Sequence, residues 1–286
     1  MALVTRRRVL TGFGATAAAV LAPPVGSAFA DGHRRGPRPL WRAHAHNDYE
    51  HPRPLLDALD HRFGSVEADI FLVDGELLVA HSADRLDPTR TLESLYLAPL
   101  AARVKAHRGS VYRGYRQPLQ LLIDIKTEGS SAYLALDRQL QRHKGLFTTY
   151  AHGRVHPGAV TAVISGDRAA RTPMEAQTVR RAFYDGRLAD LGTSESSFAS
   201  LISDNWTLNF TWSGVGAFPE AERQRLRTIV GAAHARGQQV RFWATPDLAG
   251  PARDALWAEL LAAGVDYLNT DDLAGLEAFL DSRRTA

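Results

Sequence analysis

The chain has 286 residues, 45% of them hydrophobic and 23% charged, a balance typical of a globular protein with one large core. It contains no cysteine, which excludes disulfides, thiolate metal sites and a cysteine nucleophile. The formal net charge is +3, but without the three arginines of residues 1–30 the chain holds 31 basic and 31 acidic residues. A neutral chain lacks the basic surface of a general nucleic-acid binder, so no nucleic-acid partner is expected.

The first 30 residues follow the order of an export signal. Three arginines, from Arg6 to Arg8, precede an Ala-rich apolar run, and small residues flank Phe29. Paired arginines before the run resemble a twin-arginine signal, and the run is far shorter than the ~20 residues of a membrane span. We therefore predict secretion, most simply by the twin-arginine route. The predicted organisation is a signal peptide at 1–30, a flexible lead-in at 31–39 and a single domain at 40–286.

From residue 40 onward, strand-like apolar runs alternate with segments of helical periodicity. Asp74-Gly75 is typical of a hairpin turn, and Gly237 and Gly264 are typical helix ends. The predicted elements, in chain order, are strand 40–46, helix 53–61, strands 65–73 and 76–81, helix 92–108, strand 119–125, helix 131–143, strand 160–165, helix 172–181, strands 182–184 and 201–203, helix 220–236, strand 239–244, helix 251–263, strand 265–269 and helix 273–282.

Strands that alternate with helices predict an α/β protein with a parallel sheet. The length of the alternating region suits a closed (β/α)8 barrel of the TIM type. The competing doubly wound sheet would need a Gly-rich phosphate turn after its first strand. Here the first strand ends instead in His44-Ala-His46-Asn47-Asp48, so we favour the barrel.

Polar residues recur two positions apart within the predicted strands. The sets are His44 with His46, Glu67 with Asp69 and Asp124 with Lys126, and His81 ends the strand that follows the hairpin turn. Residues at i and i+2 of a strand share one face, and unpaired charge is costly to bury. These side chains fall late in their strands, where barrels carry their catalytic groups. We therefore expect one site that binds a cation, a substrate or both.

The residue types indicate the chemistry of this site. Carboxylate oxygens without sulfur suit Mg²⁺ or Ca²⁺, and two histidines can serve as general base and general acid. Lys126, together with a cation, can neutralise developing charge on a phosphate. With no thiol and no obvious serine nucleophile, the set favours hydrolysis or transfer at a phosphodiester.

At these residues the chain resembles the superfamily of glycerophosphodiester phosphodiesterases, phosphatidylinositol-specific phospholipases C and spider-type sphingomyelinases D. The resemblance spans residues 38–275 and rests on a histidine after the first strand (His44 or His46), Glu67-x-Asp69, His81, Leu-Ile-Asp124-Ile-Lys126, Arg241-Phe-Trp243-Ala-Thr and the segment 264–271. It implies a distorted barrel in which Glu67, Asp69 and Asp124 hold one Mg²⁺ or Ca²⁺ and the histidines act as acid and base. The implied substrates are small phosphodiesters or phospholipid headgroups, with transient contact to a membrane surface.

The chain also departs from the family pattern. The usual His-Arg-Gly is replaced by His44-Ala-His46-Asn47, and the Pro-Glu-Asn that often supplies another ligand is absent. The spacing to Glu67 favours His46 as the acid/base, whereas a His-x-x-Asn pattern favours His44, and we prefer His46. Asn47 and Trp243 are candidates for substrate binding, although Trp243 suits the core equally well.

Two other functions are compatible with parts of the sequence. His44-x-His46 also opens the site of amidohydrolases and related phosphoesterases that bind zinc or manganese. Such a site needs histidines at later strand ends, which this chain does not supply, and it leaves Glu67 and Asp69 unexplained. The other alternative is a catalytically silent exported binding protein that keeps the cation site.

Overall fold

Residues 35–283 are described by the structure, a computed structural model. The predicted signal peptide and residues 31–34 of the lead-in lie outside them. The strands are β1 (Leu40–Ala45), β2 (Phe63–Val73), β3 (Glu76–Val79), β4 (Leu119–Ile125), β5 (Thr149–Ala151), β6 (Arg154–His156), β7 (Val160–Gly166), β8 (Val179–Arg180), β9 (Ala182–Gly186), β10 (Leu201–Asn205), β11 (Gln239–Trp243) and β12 (Leu268–Thr270). The α-helices are α1 (Leu56–Asp60), α2 (Ala98–Ala106), α3 (Gly129–Arg142), α4 (Arg171–Glu175), α5 (Trp206–Asn209), α6 (Glu220–His234), α7 (Pro251–Ala263) and α8 (Leu273–Ser282).

Eight parallel strands form the barrel, in the order β1, β2, β4, β7, β9, β10, β11 and β12. A single bridge between Arg241 of β11 and Tyr267, the residue before β12, closes the ring. The register of β1 against β2 shifts between Leu40 and His44. The predicted TIM-type (β/α)8 barrel is thus confirmed, and these two irregularities distort it.

The strands divide the apolar residues between two cores. On β2, Val66, Ala68 and Ile70 are fully buried outside the barrel, in the large cluster shared with the helices. A second, smaller cluster consists of Leu122 of β4, Val163 of β7, Phe183 of β9, Leu201 of β10 and Tyr267, the residue before β12. Because strand residues alternate between faces, these five side chains fill the inside of the barrel. The polar residues two positions later in these strands therefore lie inside the barrel as well, between this apolar cluster, called here the apolar floor, and the carboxyl-terminal mouth.

Most predicted elements agree with the structure, and the helix over 251–263 has the predicted bounds. It begins with Pro251 at its first position and ends at Gly264, which has a φ of 88°. The hairpin between β2 and β3 also turns as predicted, because Asp74 and Gly75 have φ values of 49° and 88°. Among residues 35–283, no helix combines the length and the apolar character that a bilayer crossing requires.

Two predictions about helices are wrong. The helix expected over 172–181 stops at Glu175, and Val179 pairs with Ala151 in a small antiparallel sheet formed by β5, β6 and β8. The helix expected from residue 53 begins at Leu56, since Leu55 has a φ of 65°. His46 lies one residue beyond the end of β1, but its backbone N–H still donates to the Thr270 oxygen, and both histidines face Glu67 as the strand spacing predicts.

Candidate active site

The predicted site residues lie at the carboxyl-terminal mouth of the barrel. Glu67 and Asp69 are on β2 and Asp124 is on β4, where it pairs in register with Asp69. The remaining members follow strand ends: His46 after β1, His81 after β3 and Lys126 after β4. Tertiary folding therefore brings together carboxylates and bases from four strands, as the sequence predicts.

A lysine joins two of the three carboxylates. Lys126 Nζ lies 3.0 Å from Asp69 Oδ2 and 3.0 Å from Asp124 Oδ1. Burial raises the pKa of Asp69 to about 7, with the charge of Glu67 adding to the effect, and burial also raises the pKa of Asp124. Burial would lower the pKa of Lys126, but the two carboxylates outweigh it and raise that pKa. The cluster thus contains more negative charge than its own lysine neutralises.

Glu67 reaches deeper into the barrel and is paired with Arg241. Arg241 Nη1 lies 2.7 Å from Glu67 Oε2, 2.6 Å from His44 Nε2 and 3.1 Å from Asn269 Oδ1. Burial alone would raise the pKa of Glu67, but Arg241 and His44 hold it well below its usual range. Arg241 occupies the Nε2 nitrogen of His44, which an amidohydrolase-type metal would need as a ligand, so the geometry does not favour that alternative.

His44 is a buried, neutral histidine. Its side chain is fully enclosed, with Nδ1 2.7 Å from Ser65 Oγ. Burial and the charge of Arg241 lower its pKa to about 4. Both ring nitrogens are therefore engaged, and the ring stays neutral near pH 7. These contacts suit a residue that positions Glu67 and Arg241.

His46 has the opposite environment. Its Nδ1 lies 2.8 Å from Asp271 Oδ1, and Asn47 Nδ2 is 3.0 Å from the same nitrogen. Its Nε2 lies 3.9 Å from Glu67 Oε1, and the side chain is 30% exposed. Burial lowers the pKa of His46, but the hydrogen bond with Asp271 and the charge of Glu67 raise it overall. Asp271 thus orients the His46 ring through Nδ1, while Nε2 faces the site. A histidine held in this way can transfer protons.

Tyr49 links the remaining histidine to the carboxylates. Its hydroxyl lies 2.6 Å from Asp69 Oδ2, 2.8 Å from Asn47 Oδ1 and 3.1 Å from His81 Nδ1. Burial and the charge of Asp69 raise the pKa of Tyr49 above its ordinary value, so the phenol keeps its proton. Asn47 adopts a left-handed backbone with a φ of 46°, which asparagine tolerates well. The turn after β1 thus delivers both the amide and the phenol to the site.

Trp243 ends β11 at the rim of the mouth. It lies two residues after Arg241, on the same face of the strand, and is partly exposed. Within the described residues the structure gives no hydrogen bond or ring contact between Trp243 and the polar cluster. The structure therefore places it near the site without joining it to the network.

Sequence reasoning did not assign a role to three members of this network: Tyr49, Arg241 and Asp271. Arg241 carries a usable signal, because a charged residue flanked by Val240 and Phe242 in a strand must point into a barrel interior. Asp271 directly follows β12, in a position like that of the other strand-end residues. For Tyr49 the sequence offers no comparable signal.

Glu67, Asp69 and Asp124 are the candidate ligands for the cation that the family resemblance implies. Among residues 35–283, no three His, Asp or Glu side chains are arranged to hold a metal ion. The donor chemistry nevertheless fits a hard cation, because all three candidates offer oxygen. Asp69 Oδ1 is buried without a hydrogen-bond partner among the described residues, and the raised pKa of Asp69 reflects surplus negative charge.

Comparisons with known proteins show which family the chain is similar to. A family model described as "AIM6-like phosphodiesterase domain" matches residues 38–185, and one described as "Glycerophosphoryl diester phosphodiesterase family" matches residues 239–274. Altered inheritance of mitochondria protein 6 homolog of Arthroderma benhamiae is 31% identical over 268 residues, covering 82% of this chain and 82% of that protein. Altered inheritance of mitochondria protein 6 of Eremothecium gossypii is 30% identical, covering 84% of this chain and 69% of that protein.

Among solved structures, the glycerophosphodiester phosphodiesterase of Agrobacterium tumefaciens matches with a TM-score of 0.47 and 17% identity, covering 84% of this chain and 97% of the other. The family model spans more than half of this chain, and the Arthroderma relative is similar over most of both sequences. The chain therefore belongs to the family of AIM6-like phosphodiesterases, a divergent branch of the glycerophosphodiester phosphodiesterase superfamily.

Proposed function

We propose that this protein is an exported, cation-dependent phosphodiesterase that cleaves glycerophosphodiesters or phospholipid headgroups by histidine acid/base catalysis. The observation that carries the proposal is the meeting of His46, His81 and Lys126 with three carboxylates in one barrel mouth. Phosphoryl transfer needs a group that accepts a proton, a group that donates one and charge that stabilises the phosphoryl oxygens. This set supplies all three within a chain of a phosphodiesterase family.

The two histidines have different surroundings, which suits different roles. His46 is held by Asp271 and has a raised pKa, so it is the better source of a proton for the leaving oxygen. His81 is 58% exposed and is oriented through Tyr49, which suits removal of a proton from the attacking hydroxyl. Lys126 would stabilise the transferred phosphoryl group, and Asn47 and Trp243 would contact the substrate.

Glu67, Asp69 and Asp124 are the residues that would hold the cation, Mg²⁺ or Ca²⁺. When bound, such an ion neutralises charge on the phosphoryl oxygens of the substrate. Charge balance supports this assignment, because an anionic diester would otherwise approach three carboxylates whose permanently charged partners among residues 35–283 are Lys126 and Arg241. Asp69 retains an oxygen that no described residue satisfies, which an incoming ligand could use.

Hydrolysis of bis(p-nitrophenyl) phosphate by the mature protein tests the proposal. We expect turnover with Mg²⁺ or Ca²⁺ that EDTA abolishes, whereas activity only with zinc or manganese would favour the amidohydrolase type. His46→Ala and His81→Ala should each lower kcat by at least about 100-fold, the usual contribution of general acid–base catalysis. His234→Ala removes a histidine that is paired with Asp266 on the surface, so it should remain active. No turnover with any metal would favour a silent binding protein.

A further inference from the structure

A second polar cluster lies inside the barrel, on strands that the proposed mechanism does not use. Asp185 Oδ2 accepts hydrogen bonds from Ser165 Oγ at 2.8 Å, from Ser203 Oγ at 2.7 Å and from Arg187 Nη1 at 2.8 Å. Asp185 is fully buried, and Arg187 directly follows β9 at the mouth. A buried carboxylate needs a nearby cation, which accounts for the presence of Arg187. It does not account for the guanidinium N–H groups of Arg187 that are left without a partner.

The guanidinium of Arg187 is only partly used by these contacts. It touches one oxygen of Asp185, whereas Arg223 binds both oxygens of Glu259 through Nε and Nη2. Arg187 Nη1 also lies 3.2 Å from Ser203 Oγ, Nη2 makes a long contact of 3.4 Å to Ser165 Oγ, and Nε donates to no partner among residues 35–283. The side chain is 27% exposed. Arg187 therefore keeps donors that face neither Asp185 nor another described residue.

Arg187 also belongs to the same mouth as the candidate active site. Ser165, to which it is bonded, pairs in register with Asp124 on the neighbouring strand. Burial lowers the pKa of Arg187, but the charge and hydrogen bond of Asp185 and the charges of Asp204 and Asp124 raise it overall. Among residues 35–283, Lys126 lies between two carboxylates of the candidate cation site and Arg241 is only 4% exposed, so Arg187 adds a cation on the opposite side of Asp124 from Asp69.

We propose that Arg187 binds the phosphate of the substrate, with its unused N–H groups donating to non-bridging phosphoryl oxygens. This inference deepens the proposed phosphodiesterase function and rests on it. A planar guanidinium held at one end by a carboxylate presents its remaining donors in a fixed orientation, which suits bidentate recognition of phosphate. Asp185, Ser165 and Ser203 then act as positioning residues, because they hold Arg187 without reaching the substrate.

A purely structural role makes a different prediction. If Arg187 served only as the counter-charge of Asp185, its loss would destabilise the fold and leave ligand affinity unchanged. The experiment must therefore read phosphate binding separately from both stability and turnover. Arg168 provides a matched control, because it donates to the backbone oxygen of Asp185 at 2.8 Å while stacking on Tyr184 outside the barrel.

The first arm measures binding of inorganic phosphate by isothermal titration calorimetry, in EDTA and with Mg²⁺. We expect Arg187→Met to weaken phosphate binding at least about tenfold, in line with the loss of a charge-assisted hydrogen bond. Arg187→Lys should keep part of the affinity, and Arg168→Met should keep all of it. Equal affinity in Arg187→Met and the unaltered protein would overturn the proposal.

The second arm measures hydrolysis of bis(p-nitrophenyl) phosphate. Arg187→Met should raise KM about tenfold or more, and an unchanged KM would contradict a contact to the scissile phosphate. If Arg187→Met fails to fold, Asp185→Asn/Arg187→Met removes both charges together and carries the same measurements. The unaltered protein could also bind phosphate through Arg187 and yet show no turnover. That result would contradict the proposed function and still support the phosphate site at Arg187.

Discussion

Two histidines that are two residues apart differ because of their neighbours. His44 lies against Arg241 and has a pKa of about 4, whereas His46 lies against Asp271 and has a raised pKa. The sequence alone left open which of them is the acid/base. The environment of His46 suits proton transfer near neutral pH, and that of His44 suits a fixed hydrogen-bonding role.

Removing the Asp271 carboxylate tests the role of His46. Asp271 raises the pKa of His46, so Asp271→Asn should lower that pKa. The limb of the pH profile of kcat/KM that reports His46 should then move to lower pH. Activity at neutral pH should fall about 10- to 100-fold, as is usual when a group that orients a site histidine is lost. The pH dependence of hydrolysis measures both effects.

The control for this variant is Asp266→Asn. Asp266 makes a similar 2.8 Å contact with the exposed His234, and it lies near the amino-terminal end of β11, where it also accepts a hydrogen bond from the Val240 backbone. The Asp266→Asn variant should leave the pH profile of kcat/KM unchanged. An Asp271→Asn profile that coincides with that of the unaltered protein would remove His46 from the mechanism.

Glu67 has two roles in the structure, so its substitution should affect stability more than substitution of Asp124 does. Besides its candidate role as a cation ligand, it neutralises the buried Arg241. Glu67→Gln should therefore cost about 3 kcal/mol of unfolding free energy, because it leaves a charge uncompensated inside the barrel. Asp124→Asn should cost less than about 1 kcal/mol, since Lys126 keeps Asp69 as a partner.

Urea unfolding at neutral pH distinguishes these two costs. Adding Arg241→Met to Glu67→Gln should recover part of the lost stability, because the unpaired charge is then absent. Both single variants should lose cation-dependent activity. Equal stability of the Glu67→Gln and Asp124→Asn proteins would contradict the pairing of Glu67 with Arg241.

At the scale of elements, the close approach of β7 to β4 fixes the position of Asp124. Gly166 ends β7 with a φ of 80°, and a Cβ there would lie 2.3 Å from the Ile125 oxygen and 2.6 Å from Asp124 Oδ1. Gly166→Ala should therefore destabilise the fold by about 2–3 kcal/mol, through backbone strain and overpacking. Because the added methyl group displaces Asp124, kcat/KM should also fall.

Gly75→Ala is the matched control for this steric effect. Gly75 has a similar φ of 88°, but nothing lies within 4 Å of a Cβ at that position. Its substitution should cost only about 1 kcal/mol and leave hydrolysis unchanged. If the two alanine variants lose the same stability and activity, contact with β4 has no functional consequence.

Sequence patterns predicted the elements whose residues carry a local signal. The barrel strands and α7 were found because apolar runs, Pro251 and Gly264 mark them directly. The small sheet of β5, β6 and β8 was missed because Val179 becomes a strand residue only through its pairing with Ala151. Local propensity cannot reveal such a pairing, which depends on the rest of the fold.

The site was predicted to a similar extent. Glu67, Asp69, Asp124 and Lys126 stand out as charged residues at strand spacing, and the structure brings them together. The partners of these residues were harder to find. Arg241 meets Glu67 across the closed ring, at a separation of 174 residues, which only barrel closure makes a contact.

For the whole molecule, the barrel mouth concentrates charge over an apolar floor. The stability of such a protein must therefore depend on pH through its buried acids. Asp48 is the clearest case outside the candidate cation ligands, because it is fully buried and accepts hydrogen bonds from the Leu55 backbone and the Tyr96 hydroxyl. Its Oδ1 is buried with no partner among residues 35–283.

Burial raises the pKa of Asp48 from 3.8 to about 7. Because the folded pKa lies above the unfolded one, this group favours the folded state below pH 4, and that contribution is lost as the pH rises to 7. The loss amounts to about 4 kcal/mol at 1.36 kcal/mol per pKa unit. Asparagine at position 48 does not ionise, so the stability of Asp48→Asn relative to the unaltered protein should improve by up to that amount between pH 4 and pH 8.

Urea unfolding across this pH range measures the difference in stability. The control variant Asp254→Asn, on the exposed face of α7, should show no such change. A constant difference for Asp48→Asn would mean that Asp48 is ionised in the folded protein throughout.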